Sequence, residues 1–316
     1  MHYQTKMMLR DVLSNFRSFI YNLLYFSKNS PEESDWATVR NLVLSLPAEI
    51  KAQYAAECSF LESMPLDNLA AAIFPYPEKN EQLFGTDILT GKEKGLPFVI
   101  RSKGRRLFFP AHTLQADALH AYHILIDREG LLGTGTLAKS PHCYQDGDFK
   151  VEEGDVLLDV GCAEAVFTLD NIDKVSKAYL FECAPEWHKP LIQTFAPFSD
   201  KVVMVNKLVS DRTGRKSTTL LDAVGRERLD ESRFFVKMDI EGSERLVIKG
   251  NADFFKAARV KLSCCVYHRQ DDAQVIGAML REMGYKTRFS DGYMLPVMNG
   301  IHYPYFRHGV IYAQNF

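Results

Sequence analysis

The stretch VLLDVGCAEAVF, residues 156–167, constrains the fold more than any other part of the chain. Val156, Leu157 and Leu158 read as a short strand buried on both faces, and Gly161 turns the chain into a run able to open a helix. Glycine matters at such a turn because a ligand can reach the backbone where no Cβ intervenes, and the free N–H groups of the new helix face that ligand. Strands and helices alternate from here on. Strands are expected at 156–160, 178–182, 202–205, 234–239, 259–266, 285–289 and 309–314, with helices at 186–196, 243–256 and 271–283. The alternation predicts an α/β fold, an open and mostly parallel sheet with helices on both faces. The last strand follows its neighbour with no helix between them, so it is expected to insert antiparallel at an edge.

The first 137 residues have a different character. Leu9, Val12, Leu13, Phe16, Ile20, Leu23 and Leu24 repeat at helical spacing, giving one apolar face for the rest of the chain or for a second copy. A homo-oligomer formed through the N-terminal helices is therefore open. Ser30 and Pro31 resemble a helix start, with more helix to about Ser63. Residues 98–100 and 107–109 flank a polar turn at Ser102-Lys103-Gly104 and predict a β-hairpin; residues 113–127 read as helix. With 316 residues there is room for about two domains, a mainly helical region over 1–137 and an α/β domain over 138–316.

A net charge of −2 argues against a nucleic-acid binder that works by bulk electrostatics. No apolar run reaches the roughly 18 residues of a membrane span, and the N-terminus does not read as a signal peptide. The six cysteines form no CxxC pair, so reduced thiols and a cytoplasmic location are expected.

Ligands of open α/β sheets sit outside the carboxyl ends of the strands, where the strand order reverses. Gly161 marks that edge, and so does Glu182, some 20 residues on, where an acid can accept bonds from ribose hydroxyls. A dinucleotide's pyrophosphate needs further glycines in the loop, and this chain has Ala163 and Ala165 there, which disfavours a nicotinamide oxidoreductase. The later motif VKMDIEGSE, residues 236–244, sets Lys237, Asp239 and Glu241 on one side of a buried strand. Charges there are costly unless they pair or work. Either Lys237 pairs with an acid, or the three form a working site at the crest of the sheet.

Together DVGCAEAVF, LFECAPEW, the 206–211 stretch, TTLLDAV at 218–224 and VKMDIEGSE resemble the FkbM family of S-adenosylmethionine-dependent methyltransferases, over about residues 138–290. The resemblance implies a Rossmann-like class I methyltransferase sheet and transfer of a methyl group from S-adenosyl-L-methionine, usually to a hydroxyl of a sugar or another small molecule. By position, Asp159 and Gly161, with Cys162 beside them, would hold the methionine end; Glu182 and Cys183 would sit at the ribose, and the loop 208–211, ending in Asp211, near the adenine. The chain departs from the family at Ala165, where a second glycine is usual.

For the chemistry, Asp239 and Glu241 are the first candidates, Lys237 stands with them on the strand, and His268 follows. An imidazole with a pKa near 6.5 at the crest would suit proton removal. His142 and Tyr144, after Pro141, could fold over the donor pocket. Asp239, Glu241 and His268 could instead hold a divalent cation, oxygen-rich ligation favouring magnesium or manganese over zinc. Their spacing matches no metal signature, so no metal ligand is assigned. The acceptor is expected to be a small molecule or glycan, with Tyr293, Tyr303, Tyr305 and Phe306 as a candidate aromatic wall. The competing reading is a protein that binds the donor without catalysis and docks a partner through its N-terminal helices.

Overall fold

The computed structural model describes residues 40–63, 89–123, 140–229, 232–295, 303 and 305–316. The helix read at 7–26 and the helix start at Ser30 lie outside these residues. Among the described ones, helices Ala48–Lys51 and Ala55–Ser63 precede a small antiparallel sheet of β1 (Thr90–Glu93), β2 (Leu96–Ile100) and β3 (Arg106–Phe108). β2 and β3 pair with Val99 opposite Leu107 around the turn at 102–104, as the flanking apolar triplets predict. The hairpin does not stand apart: Val99, Leu107 and Phe109 share one core with Leu157, Phe167 and Trp187. Its rim is tied down where Arg101 pairs with Asp170 and Arg105 donates to Leu169 O at 2.9 Å.

The central sheet contains β4 (Val156–Val160), β5 (Lys177–Phe181), β6 (Val202–Val205), β9 (Arg233–Met238), β10 (Arg259–Cys265), β11 (Lys286–Phe289) and β12 (Val310–Gln314), in the order β11-β12-β10-β9-β4-β5-β6. A two-stranded parallel pair, β7 (Leu208–Val209) and β8 (Ser217–Thr218), lies beside it. β12 is antiparallel to both its neighbours, while β10, β9, β4, β5 and β6 run parallel. The expectation of an antiparallel last strand holds, but its place is one step in from the edge. The reason is legible in the residues: VIYAQ is buried over four of its five positions, whereas KTRF alternates exposed and half-buried. A charged, alternating strand suits an open edge better.

Both faces of the parallel strands are covered, and β4 is buried along its whole length, as a sheet sandwiched between helices requires. The helices Val166–Asn171, Pro185–Phe195, Glu244–Gly250 and Asp272–Glu282 supply the cover. The helix read at 243–256 is broken at Asn251, whose side chain accepts from Leu220 N at 2.7 Å and donates to Ser210 O at 2.9 Å. From β4 the chain winds outward through β5 and β6, then returns to lay β9 and β10 on β4's other side. The carboxyl ends of β4 and β9 therefore flank the topological switch point, where a crevice opens.

Candidate active site

The crevice is a hollow with about 460 Å³ of free space, part of it open to solvent. Its lining comes from the ends of β4 (Val160, Gly161), β5 (Phe181, Glu182, Cys183) and β9 (Asp239, Ile240, Glu241), with Lys207, Leu208 and Val209 on the fourth side. Gly161 has φ +76°, and a Cβ on it would stand 2.0 Å from Asp239 O. Glycine is thus required for the close passage of β4's end against β9's, besides leaving backbone open to the hollow. Ala163 (φ 45°) and Ala165 (φ 58°) continue the loop in left-handed conformations that L-residues adopt at a cost.

Asp159 and Lys237 are register partners on β4 and β9. Asp159 is fully buried, takes the Thr168 hydroxyl at 2.7 Å and lies 3.3 Å from Lys237 Nζ. Lys237 donates to Gly161 O at 2.7 Å and sits over the Tyr144 ring. Burial alone would lower the lysine's pKa; the charges of Asp159 and then Asp239 outweigh it and raise the pKa above the ordinary value. The pair braces the glycine loop from beneath, and neither member lines the hollow. Cys162 turns into the core, where burial pushes its thiol well up.

Glu182 closes β5. Its two oxygens accept from Ala163 N at 3.0 Å and Ala184 N at 2.7 Å, so the acid sits between the glycine loop and the next helix. Burial raises its pKa to about 7 against those two bonds and Lys237. Cys183, beside it, is pushed up to about 12 by burial and then by the charge of Glu182. Asp211 is not brought to this hollow. The chain leaves it after Val209, because β7 pairs with β8 and carries 210–216 away; Asp211 packs instead against Gly250.

At the crest, Asp239 is enclosed on three sides. Tyr144 Oη donates to its Oδ2 at 2.8 Å, His142 Nε2 lies 3.5 Å from the same oxygen, and His268 Nε2 lies 3.4 Å from Oδ1. Burial by itself would raise this acid, but the bond from His142 and the charges of His268, His142 and Lys237 hold it well below the carboxylate range. Tyr144, wholly buried and facing Asp239, keeps its proton. The 140–145 segment thus reaches Asp239 at the crest without lining the hollow, and His142 is also 3.3 Å from Cys265 Sγ.

Glu241 follows in a left-handed conformation, φ 56°, a strained geometry of the kind found at working sites. Burial raises it to about 7, with Asp239 and Glu244 adding to the rise and His268 opposing it. His268 faces three acids: Glu244 Oε1 at 3.1 Å from Nδ1, with Asp239 and Glu241 (3.7 Å) at Nε2. Burial would lower its pKa; Glu244 first, then Glu241 and Asp239, raise it to about 10. The three acids therefore favour the protonated imidazole over one that titrates near 6.5.

Sequence reasoning missed Glu244, Thr168 and Cys265. Glu244 was visible in VKMDIEGSE, but its look is that of an acid in a helix's first turn; it instead fastens the turn before the helix, accepting from Ile240 N at 3.0 Å, and backs His268 as well. Thr168 and Cys265 carried no signal, since only tertiary packing brings them to Asp159 and His142. Tyr293, Tyr305 and Phe306 pack with Tyr54 and Leu295 in a separate cluster, which leaves Tyr303 the exposed aromatic of that group.

Residues 193–287 match the family model described as the Methyltransferase FkbM domain. No curated protein matches the chain. Among solved structures, similar ones include Methyltransferase FkbM from Methylobacillus flagellatus KT (18% identity, 52% of this chain and 44% of that one, TM-score 0.40). Others are Precorrin-6y C5,15-methyltransferase from Geobacter metallireducens (13%, 53% and 83%, TM-score 0.36) and Streptococcus pneumoniae Sp1610 in complex with S-adenosyl-L-methionine (13%, 52% and 68%, TM-score 0.35). The chain thus spans less than half the length of the Methylobacillus protein. The family match includes Asp239, Glu241 and His268 but begins after the glycine loop and Glu182. Over residues 193–287 the chain thus matches the model of the family that its motifs resemble.

Proposed function

We propose that the protein is an S-adenosyl-L-methionine-dependent methyltransferase acting on a hydroxyl oxygen of a sugar or other small molecule. One observation carries this reading: the acid that can take a ribose, Glu182, and the carboxylates that can take a hydroxyl, Asp239 and Glu241, line the same hollow. The residues fit the donor. Glu182 keeps lone pairs for ribose hydroxyls beyond its two backbone bonds, and Leu208, Val209 and Ile240 offer apolar lining for a base. Three acids against the single cation Lys207 suit a sulfonium and oppose a diphosphate.

Bound there, the donor supplies an electrophilic methyl group on a positively charged sulfur. The chain's part is to orient the acceptor and to take its proton. Tyr144 occupies Asp239 Oδ2 and leaves Oδ1 without a hydrogen bond, so Oδ1 is the oxygen to which an acceptor hydroxyl can donate. Glu241 stands beside it with its pKa raised to about 7, and is the group suited to take the proton. His142, wedged between Asp239 and Cys265, holds the carboxylate's orientation.

The test is incubation of the full chain with deuterated-methyl donor and a metabolite and glycan extract, read by mass spectrometry, with donor affinity measured separately by calorimetry. A labelled product, lost in Asp239→Asn with donor affinity kept, is expected. Donor affinity without any labelled product would favour the second reading, a binding protein without turnover; the two left-handed alanines in the loop are the observation on its side. Absence of donor binding overturns both.

A further inference from the structure

The crest holds more negative charge than its own cations answer. Asp239, Glu241 and Glu244 converge on one imidazole, His268; His142 stands 3.5 Å from Asp239's other oxygen, and Lys237 is committed to Asp159 and to Gly161 O. His268 is 92% buried by its 8% exposure, yet its Nε2 makes no hydrogen bond; nor does Asp239 Oδ1, which faces it. The separations, 3.4 Å to Asp239 Oδ1 and 3.7 Å to Glu241 Oε2, are too long for good hydrogen bonds. They do suit a cation between the three atoms. Bonds of about 2.1 Å in octahedral geometry put neighbouring ligand atoms roughly 3.0 Å apart and opposite ones roughly 4.2 Å apart, and one ligand atom from each of the three residues lies within 4.8 Å of the others.

We infer that Asp239 Oδ1, Glu241 Oε2 and His268 Nε2 form a divalent-cation site, built for Mn²⁺ or Mg²⁺. Glu244, 3.1 Å behind Nδ1, supplies the carboxylate–histidine support that orients metal-binding imidazoles. Two carboxylates and one imidazole, which releases its Nε2 proton to solvent as the cation binds, select hard or borderline cations. The alternative grouping of Asp239 with His142 and Cys265 is the weaker one, because Cys265 is fully buried and Asp239 Oδ2 is already taken by Tyr144. Asp239 and Glu241 both line the hollow, so the remaining coordination positions open towards it. The role of the cation rests on the proposed methyl transfer: it would hold the acceptor's oxygen and ease loss of its proton. The binding itself does not rest on that reading.

The experiment is Mn²⁺ titration into the chelator-treated 316-residue chain, followed by the loss of the free-Mn²⁺ paramagnetic resonance signal, with no donor or acceptor present. One Mn²⁺ per chain is expected, competed by Mg²⁺, with affinity weakened roughly tenfold or more in Glu241→Gln and in His268→Gln. Thermal melts and donor calorimetry on the same samples show that each variant is folded. Should one variant fail to fold, the other decides. No Mn²⁺ uptake by wild-type protein that still binds the donor overturns the cation site and leaves methyl transfer standing. Uptake unchanged in both folded variants places the ion elsewhere and overturns it equally. Uptake with no donor binding keeps the cation site and removes the methyl-transfer reading.

Discussion

Lys237 is the residue whose two readings the structure separates most sharply, and Lys237→Met is the perturbation that tests the separation. Methionine keeps most of the side chain's length and apolar body while removing the charge and the donor. Asp159, with 1% of its side chain exposed, would then lose its counter-ion, and Gly161 O would lose its 2.7 Å bond. Both members are buried, so solvent does not screen the loss. Breaking a buried pair from one side costs about 3–5 kcal/mol. At roughly 2 °C per kcal/mol for a chain of this size, the melting temperature should fall by roughly 6–10 °C. The double variant Lys237→Met with Asp159→Asn removes the orphaned charge while keeping an acceptor for Thr168, and should recover at least half of that fall. Thermal melts of the four proteins form the cycle. A single variant costing under about 1 kcal/mol, or a double variant no better than the sum of its parts, would refute the brace and return Lys237 to the reaction.

Four further outcomes follow from the loop and from Glu182. In Ala163→Gly, relief of a left-handed alanine is worth about 1–2 kcal/mol against roughly 0.5–1 kcal/mol of glycine's added chain entropy, so a small rise in melting temperature is expected. Ala165→Gly should be near neutral, since Ala165 is 1% exposed and also gives up a buried methyl worth about 0.8 kcal/mol; a clear gain there would contradict this accounting. Gly161→Ala should abolish folding or cost several kcal/mol, because a Cβ would stand 2.0 Å from backbone oxygen; soluble expression and a melt near the parent's would show that β4 and β9 can part. Glu182 is faced by Lys237, Glu186 and the amides of Ala163 and Ala184, and its pKa is raised from 4.5 to about 7 in the folded chain. The folded state therefore holds this proton more tightly than the unfolded one. Its contribution to stability is full below about pH 4.5 and is lost as pH rises through about 7, by an order of 3 kcal/mol at most. Melts of Glu182→Gln against the parent across that range should diverge increasingly with pH, and parallel curves would sink the assignment.

Periodicity and chain order were enough for the architecture. A run such as VLLDV is too apolar to be half-exposed, so a sheet covered on both faces follows from it, and the glycine turn and the acid some 20 residues later follow from where such a sheet leaves its strand ends. The DIEGSE turn likewise announces a crest, because charges at the end of a buried strand need a reason to be there. What the chain order could not settle is who meets whom across it. Asp159 and Lys237 are 78 positions apart, and only the β4–β9 register makes them partners instead of members of a reacting set. Asp211 looks well placed by the family resemblance, yet the β7–β8 pairing turns it away from the hollow. His268 reads as an imidazole of ordinary acidity until Asp239, Glu241 and Glu244 gather around it, since charge acts through space at a few ångströms and local sequence carries no record of that distance.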